Sequence, residues 1–547
     1  MVTQRAGTMP TTSGVAIVER QLRIDGKPFL VLGGELHDSS SSTKSDLDAR
    51  WPRITALGLN TVLAAISWEL IEPVEGQFDF STVDSLLDGA RANDLKVVPL
   101  WFGIWKNGLS SYRPSWVKRD PARFPLARAH EGSAVQVLSV FSEHNRDADA
   151  RAFAALMRHI KEVDQEHRTV IMVQVENEVG ILGPSRDHSA EAVAAYRAPV
   201  DREFLAFLRQ NSDGLKPVIA EAIAGEAPVG GWGATFGESL ETDELFQGLG
   251  YARYVDFVVA AGRAKYELPY FINTWLDSPE YSPEKSRFAP YGGQIPGNYP
   301  SGGPLPQAFE AWLYGAPNLT MLTPDIYFGD FTEWCRQYAA SEVGFFIPEL
   351  KKDSSGIAGI HIAMGSFGAI GTSPFGIDGN DDEYAPEDKE LLATSYRALA
   401  NLSDVILAAQ RRGEIVGFEL TGERPEVVVE FGGHRLRIIR DRDDGSGAAL
   451  PTAWGLVATD GEGGYAGTGA GFSVTFESFT EGRTAALEDV ESGRFEADGW
   501  VTEQVLNGDE TLSGEIWRFP YFAVIPGISF GEAFPKARVL RARVYEY

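Results

Sequence analysis

Cysteine is almost missing from this 547-residue chain: Cys335 stands alone, so no internal disulfide can form and the fold must rest on its own core. Histidine is scarce as well. The eight histidines make no His-Glu-x-x-His run and have no second cysteine to join them, so no zinc-type ligand set is present and neither metal nor other cofactor is expected. Positive charge is in deficit, 49 Lys+Arg against 77 Asp+Glu for a net charge of -28, and a surface that acidic repels nucleic acid and anionic membranes. Neutral or cationic small molecules stay open as partners. No uninterrupted apolar run approaches the roughly 18 residues of a membrane-spanning helix, and the stretch from Met1 to Gly14 has no apolar core segment. The expectation is a soluble protein of the cytoplasm or periplasm, with homo-oligomerisation left open. A Gly-x-Ser-x-Gly elbow and a Walker-type lysine loop are also lacking; Gly467-Thr-Gly-Ala-Gly471 sits outside any strand-to-helix context and reads as a turn.

What is present is organised in two textures. From about residue 28 to 375, short β-branched runs alternate with helical periodicity, the pattern of βα units around a parallel sheet. The candidate strands are Phe29 to Glu35, Thr61 to Trp68, Lys96 to Phe102, Thr169 to Glu176, Pro269 to Trp275, Asn318 to Pro324, Gly344 to Pro348 and Phe367 to Thr372. Val83, Leu86, Leu87 and Ala90 fall at i, i+3, i+4, i+7, as do Phe153, Leu156, Met157 and Ile160, giving helix faces that cover a sheet. Eight such units close as a (β/α)8 barrel with its active site at the C-terminal strand ends. Lys216 to Glu221 also reads as a strand, inside a long excursion after strand four. Beyond a helical segment near Glu387 to Arg412, Val427 to Phe431, the turn Gly432-Gly433 and Leu436 to Ile439 predict a two-residue hairpin, followed by strand-like runs at Phe472 to Phe476, Trp500 to Val505 and Ile516 to Phe519. The division expected is a disordered or extended tail over 1–18, a catalytic barrel over 19–412 and a β-sandwich over 413–547.

Two carboxylates stand out against this frame. Ile171-Met-Val-Gln-Val-Glu-Asn-Glu178 brings Asn177 and Glu178 to the end of strand four, and Gly344-Phe-Phe-Ile-Pro-Glu349 brings Glu349 to the end of strand seven. Two glutamates on one mouth suit glycoside hydrolysis, in which one protonates the leaving oxygen while the other attacks or activates water. Taken singly, each would equally serve as a cap or salt-bridge partner. Asn177 has an amide to donate to a sugar hydroxyl, and Glu176 reads as structural. Trp68, Trp105 and Trp275, with Trp101, Trp116 and Trp232, are candidate stacking surfaces for sugar rings, although most tryptophans are core. Glu35 and His37 end strand one and complete the candidate binding set.

The motif Gln174-Val-Glu-Asn-Glu-Val-Gly180 resembles the acid/base motif of glycoside hydrolase family 35, the β-galactosidase family of clan A. Gly34-Glu-Leu-His37, Trp68, Glu72-Pro73, Gly76-Gln-Phe-Asp-Phe80 and Trp105-Lys-Asn-Gly108 are similar to its early motifs, in order. The resemblance implies a retaining exo-β-galactosidase acting by double displacement on β-galactosides, with Glu178 as acid/base and Glu349 as nucleophile. The C-terminal texture resembles the extra β domain of a bacterial branch. Family members carry a tyrosine three residues before the strand-two tryptophan and a glutamate before the tryptophan after strand three. Here those positions hold Ala65 and Ile104. Two lost polar contacts keep a β-xylosidase or α-L-arabinopyranosidase in view, and beyond enzymes a non-catalytic carbohydrate-binding barrel.

Overall fold

The computed structural model describes residues 14–225, 230–278, 293–441, 452–506, 508–520 and 538–547. Eight parallel strands close into a barrel: β1 (Val31–Glu35), β2 (Thr61–Ser67), β3 (Lys96–Phe102), β4 (Val173–Val175), β5 (Tyr270–Trp275), β6 (Met321–Ile326), β7 (Phe346–Leu350) and β8 (Gly371–Pro374), with β8 paired back onto β1. Each of the eight expected strands has a counterpart, the last of them displaced: Phe367 ends a helix and β8 begins only at Gly371. They were legible because both faces of a parallel barrel strand are covered, so the run is mostly apolar and every residue of β1, β2 and β7 is buried. The helices expected from periodicity also form. Val83, Leu86, Leu87 and Ala90 are buried on α1 (Ser81–Ala92), and Phe153, Leu156, Met157 and Ile160 on α2 (Glu143–Asp164), whose Ser142 hydroxyl accepts the Asn145 N–H as a cap.

Lys216 to Glu221 is not a strand. Pro217 occupies the first turn of a helix, Pro217–Ile223, where its fixed φ and missing N–H cost nothing. This helix belongs to a small body inserted after β4, in which Phe204, Leu208, Ile219, Trp232 and Phe246 share a core of their own. Trp232 is therefore spent on that core and not on the mouth.

Val15–Val18, Gln21–Ile24 and Lys27–Pro28 form an antiparallel sheet ahead of β1, so the end of the expected tail is a strand; residues 1–13 lie outside the described residues. Leu22 is fully buried in the barrel core, and Gln21 donates to the Leu407 carbonyl at 2.7 Å. The connection from Ser278 to Pro306, between β5 and β6, is described only in part, because 279–292 fall outside.

The C-terminal region is all β in two sheets, one of six strands and one of four, around a core that includes Phe418, Leu436, Phe472, Val474 and Trp517. The hairpin Glu426–Phe431 with His434–Arg440 turns through Gly432 and Gly433 at φ 65° and 88°, both left-handed as a type I′ turn demands. Trp454 leaves this region to pack with the barrel core, its ring 4.7 Å from that of His361 on helix Ser354–Phe367. On the next strand, Gly417 lies so close to that helix that a Cβ would sit 1.8 Å from the His361 carbonyl oxygen. Backbone cannot give way as a side-chain tip can. Gly417→Ala is expected to cost about 3 kcal/mol by overpacking and to lower the melting temperature by several degrees in calorimetry, with the β region released first.

Candidate active site

β4 ends early, and its ending builds the site. Glu176 and Glu178 both adopt left-handed backbone, at φ 62° and 46°, which breaks the ladder one residue after Val175. Such conformations cost about 1 to 3 kcal/mol each in non-glycine residues and persist only where the surroundings enforce them. Here Glu176 enforces them: its carboxylate accepts the N–H groups of Ile104 (2.9 Å) and Trp105 (2.8 Å), tying the β3 loop to the β4 end. The Glu178 N–H in turn donates to Asn273 Oδ1 on β5 at 2.9 Å. Asn177 and Glu178 are thereby both turned into the mouth.

Glu349, near the end of β7, meets them there. Its Oε1 accepts from Asn177 Nδ2 and Asn273 Nδ2, each at 3.3 Å, and its Oε2 accepts from the Tyr327 hydroxyl at 2.9 Å. Glu178 shares the mouth with it. Burial, then the neighbouring Glu349 charge, pushes its carboxyl up to about 8, so it keeps its proton at neutral pH. One oxygen each of Glu178, Asp325 and Glu349 lies within 4.8 Å of the others. These three offer a donor set for a divalent cation, but burial also raises Asp325, and the oxygens of Glu349 already hold N–H and O–H donors. A metal would have to displace those protons.

The other sequence-predicted residues divide. Trp275 ends β5 half-buried, in register with Asp325, so it is at the mouth. Trp68 is fully buried: its indole N–H donates to Glu72 at 2.8 Å and its ring meets Trp116 edge-on at 5.7 Å. Trp105 is 1% exposed, wedged against Tyr251 and Tyr254 at 5.1 and 4.9 Å. Both build the wall behind the mouth and offer no face to a sugar in this state; their partners come from distant loops and helices that local sequence does not reveal. Glu35 is likewise without exposure, and neither of its oxygens has a hydrogen-bond partner among the described residues; burial, then Glu349, raises its carboxyl well above the usual range. His37 is tied to the loop after β8, Nδ1 lying 2.8 Å from Asp378, which also takes Arg50 at 2.7 Å. It straps the barrel closure and stays about a third exposed.

Five residues of the site escaped the sequence reading: Asn273, Asp325, Tyr327, Lys106 and Asp38. Asp325 had a signal, since it directly follows the run Met321-Leu-Thr-Pro324 just as Glu349 follows its own. Asp325 accepts from Asn273 at 2.7 Å. Lys106 lies 3.2 Å from Asp38 and faces Glu349, Glu35 and Glu178, which together outweigh its burial and hold it charged.

Comparison with known proteins follows this geometry. Residues 40–212 match glycoside hydrolase family 42, described as Beta-galactosidase, and residues 392–518 match a domain of unknown function, DUF5597. A Beta-galactosidase of Xanthomonas manihotis is 30% identical over 33% of this chain and 29% of its own length. Beta-galactosidase-1-like protein 3 of Homo sapiens is 28% identical over 30% and 24%. The chain thus matches less than a third of the length of these curated relatives. Crystal structures of β-galactosidases from the psychrophilic Marinomonas ef1 and from Bacillus circulans sp. alkalophilus are similar at TM-scores of 0.44 and 0.45, with 13% and 12% identity over 68% and 70% of this chain and 60% and 57% of theirs. The motifs resemble family 35, whereas the family matched is 42; the matched stretch contains Glu178 but not Glu349, which rests on geometry alone. At the coarser level, the chain is similar over residues 40–212 to the clan A, family 42-type β-galactosidase domain and over residues 392–518 to the DUF5597 domain.

Proposed function

We propose that the chain is a retaining, exo-acting β-galactosidase in which Glu349 is the nucleophile and Glu178 the acid/base. The observation that carries this is the pairing of two buried carboxyls on one mouth, with oxygens within 4.8 Å, of which Glu178 is held protonated. Retaining glycosidases hold the pair roughly 5 to 5.5 Å apart, whereas inverting ones need roughly 6.5 to 9.5 Å to admit a water. In the first step Glu349 bonds to the anomeric carbon as the glycosidic bond breaks, and the Glu178 proton passes to the departing oxygen. In the second, Glu178, now ionised, takes a proton from water as that water displaces Glu349. Tyr327 and Asn273 aim the nucleophile, and the β-configuration is restored.

A pentopyranoside reading has its own support: Ala65 and Ile104 are buried and apolar where family 35 enzymes carry polar contacts to galactose. An α-L-arabinopyranosidase activity fits this, and a β-xyloside belongs in the same panel. The test is proton NMR of the wild-type reaction on nitrophenyl β-D-galactoside, α-L-arabinopyranoside and β-D-xyloside. Galactoside turnover releasing the β-anomer first is expected. The α-anomer first would overturn retention, and sugar binding without turnover on any of the three would leave a carbohydrate-binding barrel.

A further inference from the structure

Double displacement makes no use of one ion pair in the mouth. The chain after β3 turns tightly through Asn107 and Gly108 at φ 53° and 68°, closed by reciprocal backbone bonds between Lys106 and Leu109 at 2.8 and 3.0 Å. The Gly108 N–H donates to the Glu178 carbonyl at 3.1 Å, so this turn is fixed to the acid/base residue. Lys106 Nζ lies 3.2 Å from Asp38 Oδ1 and 4.9 Å from the centre of the Phe102 ring. The Lys106 side chain is nearly buried, at 10% exposure, and that of Asp38 is partly open, at 31%. An ammonium has three protons to give, and Asp38 is its ion-pair partner among the described residues.

The placement of the pair gives it a direction. Asp38 follows β1 and Lys106 follows β3, on the arc of the barrel opposite Asp325 and Glu349 on β6 and β7. A pyranose with its anomeric carbon between Glu178 and Glu349, and its O2 beside Asn177, would then present its C3–C4 edge to that arc. We propose that the Lys106–Asp38 pair is a specificity-determining grip on this edge, the ammonium donating to one ring hydroxyl and the carboxylate accepting from its neighbour. It would select terminal pyranosides with a free 3,4-diol, and it supplies from two residues downstream the polar contact that Ile104 lacks. The inference rests on the glycosidase reading above and goes further by assigning the recognition of the glycone.

Deoxygenation cycles on the full chain test it. Wild type and Lys106→Met are assayed on nitrophenyl β-D-galactoside and on its 3-deoxy, 4-deoxy and 6-deoxy analogues. Wild type should lose on the order of 100-fold in kcat/KM on the 3-deoxy or the 4-deoxy substrate, the scale set by a site built to bond a hydroxyl that is missing. Lys106→Met should lose a similar factor on the parent and no more than about threefold further on that same analogue, since the contact is already gone. Its loss on the 6-deoxy substrate should equal that of wild type. Equal discrimination by both proteins on all three analogues would overturn the proposal and leave Lys106 a neutraliser of buried acids. Should Lys106→Met fail to fold, Asp38→Asn enters the same cycle from the accepting side. Calorimetric titration with D-galactose and its 3-deoxy and 4-deoxy forms separates this from the activity itself. Binding that depends on one of those hydroxyls in wild type but not in Lys106→Met, with no turnover, would sink the glycosidase reading and keep the grip.

Discussion

Glu349→Gly should abolish hydrolysis of nitrophenyl β-D-galactoside, with kcat falling on the order of 10⁵-fold or more, the scale seen when a covalent nucleophile is deleted. The reason is local. Glu349 is the carboxylate that Asn177, Asn273 and Tyr327 hold from three sides, and no other residue takes all three donors. Asp325, though it lies within 4.8 Å, accepts from Asn273 and is held protonated by burial and by Glu349 itself, so it does not substitute. Removing the side chain opens a space lined by those donors that an azide ion can enter. Azide would then attack the face that Glu349 attacked, with Glu178 still protonating the leaving oxygen, and the product would be α-galactosyl azide. The variant should fold, because it removes one charge from a group of crowded acids. A β-azide product, or an inactive variant that no concentration of azide restores, would show that another group is the nucleophile.

The difference between what the sequence disclosed and what it hid follows from range. Barrel strands such as β2 are buried at every position and mostly apolar because helices cover one face and the packed interior the other, so a local run suffices to find them. Glu178 and Glu349 were visible for the same reason, as carboxylates placed where such runs end. Lys216 to Glu221 misled because its alternation ignores what Pro217 does to a helix start. Trp68 and Trp105 misled for a deeper reason: a tryptophan beside a strand end is equally fit to face a ligand or a wall. The choice is made by Glu72, Trp116, Tyr251 and Tyr254, which arrive from other parts of the chain. Lys106 and Asp38 are an ordinary exposed-type pair in sequence and become a feature of the mouth only when β1 and β3 are set on the same barrel end.

The alkaline side of the pH profile should be written by Glu178. Its carboxyl, pushed up to about 8, must carry its proton for the first step, so kcat/KM should be level through neutral pH and fall about tenfold per unit above pH 8. Glu178→Ala should lose that limb altogether. It should cost roughly 10²- to 10⁴-fold on an alkyl galactoside, whose leaving oxygen needs the proton, and far less on dinitrophenyl galactoside, whose leaving group departs unaided. Added azide should here give the β-galactosyl product, because it replaces the water that Glu178 activates. Stability carries the same signature. A folded carboxyl that holds its proton to about 8, against 4.5 for the free group, contributes fully below pH 4.5 and loses its contribution as pH rises from 4.5 through 8. Between pH 5 and 8.5 the melting temperature of wild type should therefore decline more steeply than that of Glu178→Gln. Glu35 and Asp325, raised by the same burial, leave part of the slope in the variant. An alkaline limb that survives Glu178→Ala unchanged would assign the proton to one of those two carboxyls, and Asp325, whose oxygen shares the space between Glu178 and Glu349, would be the residue to replace next.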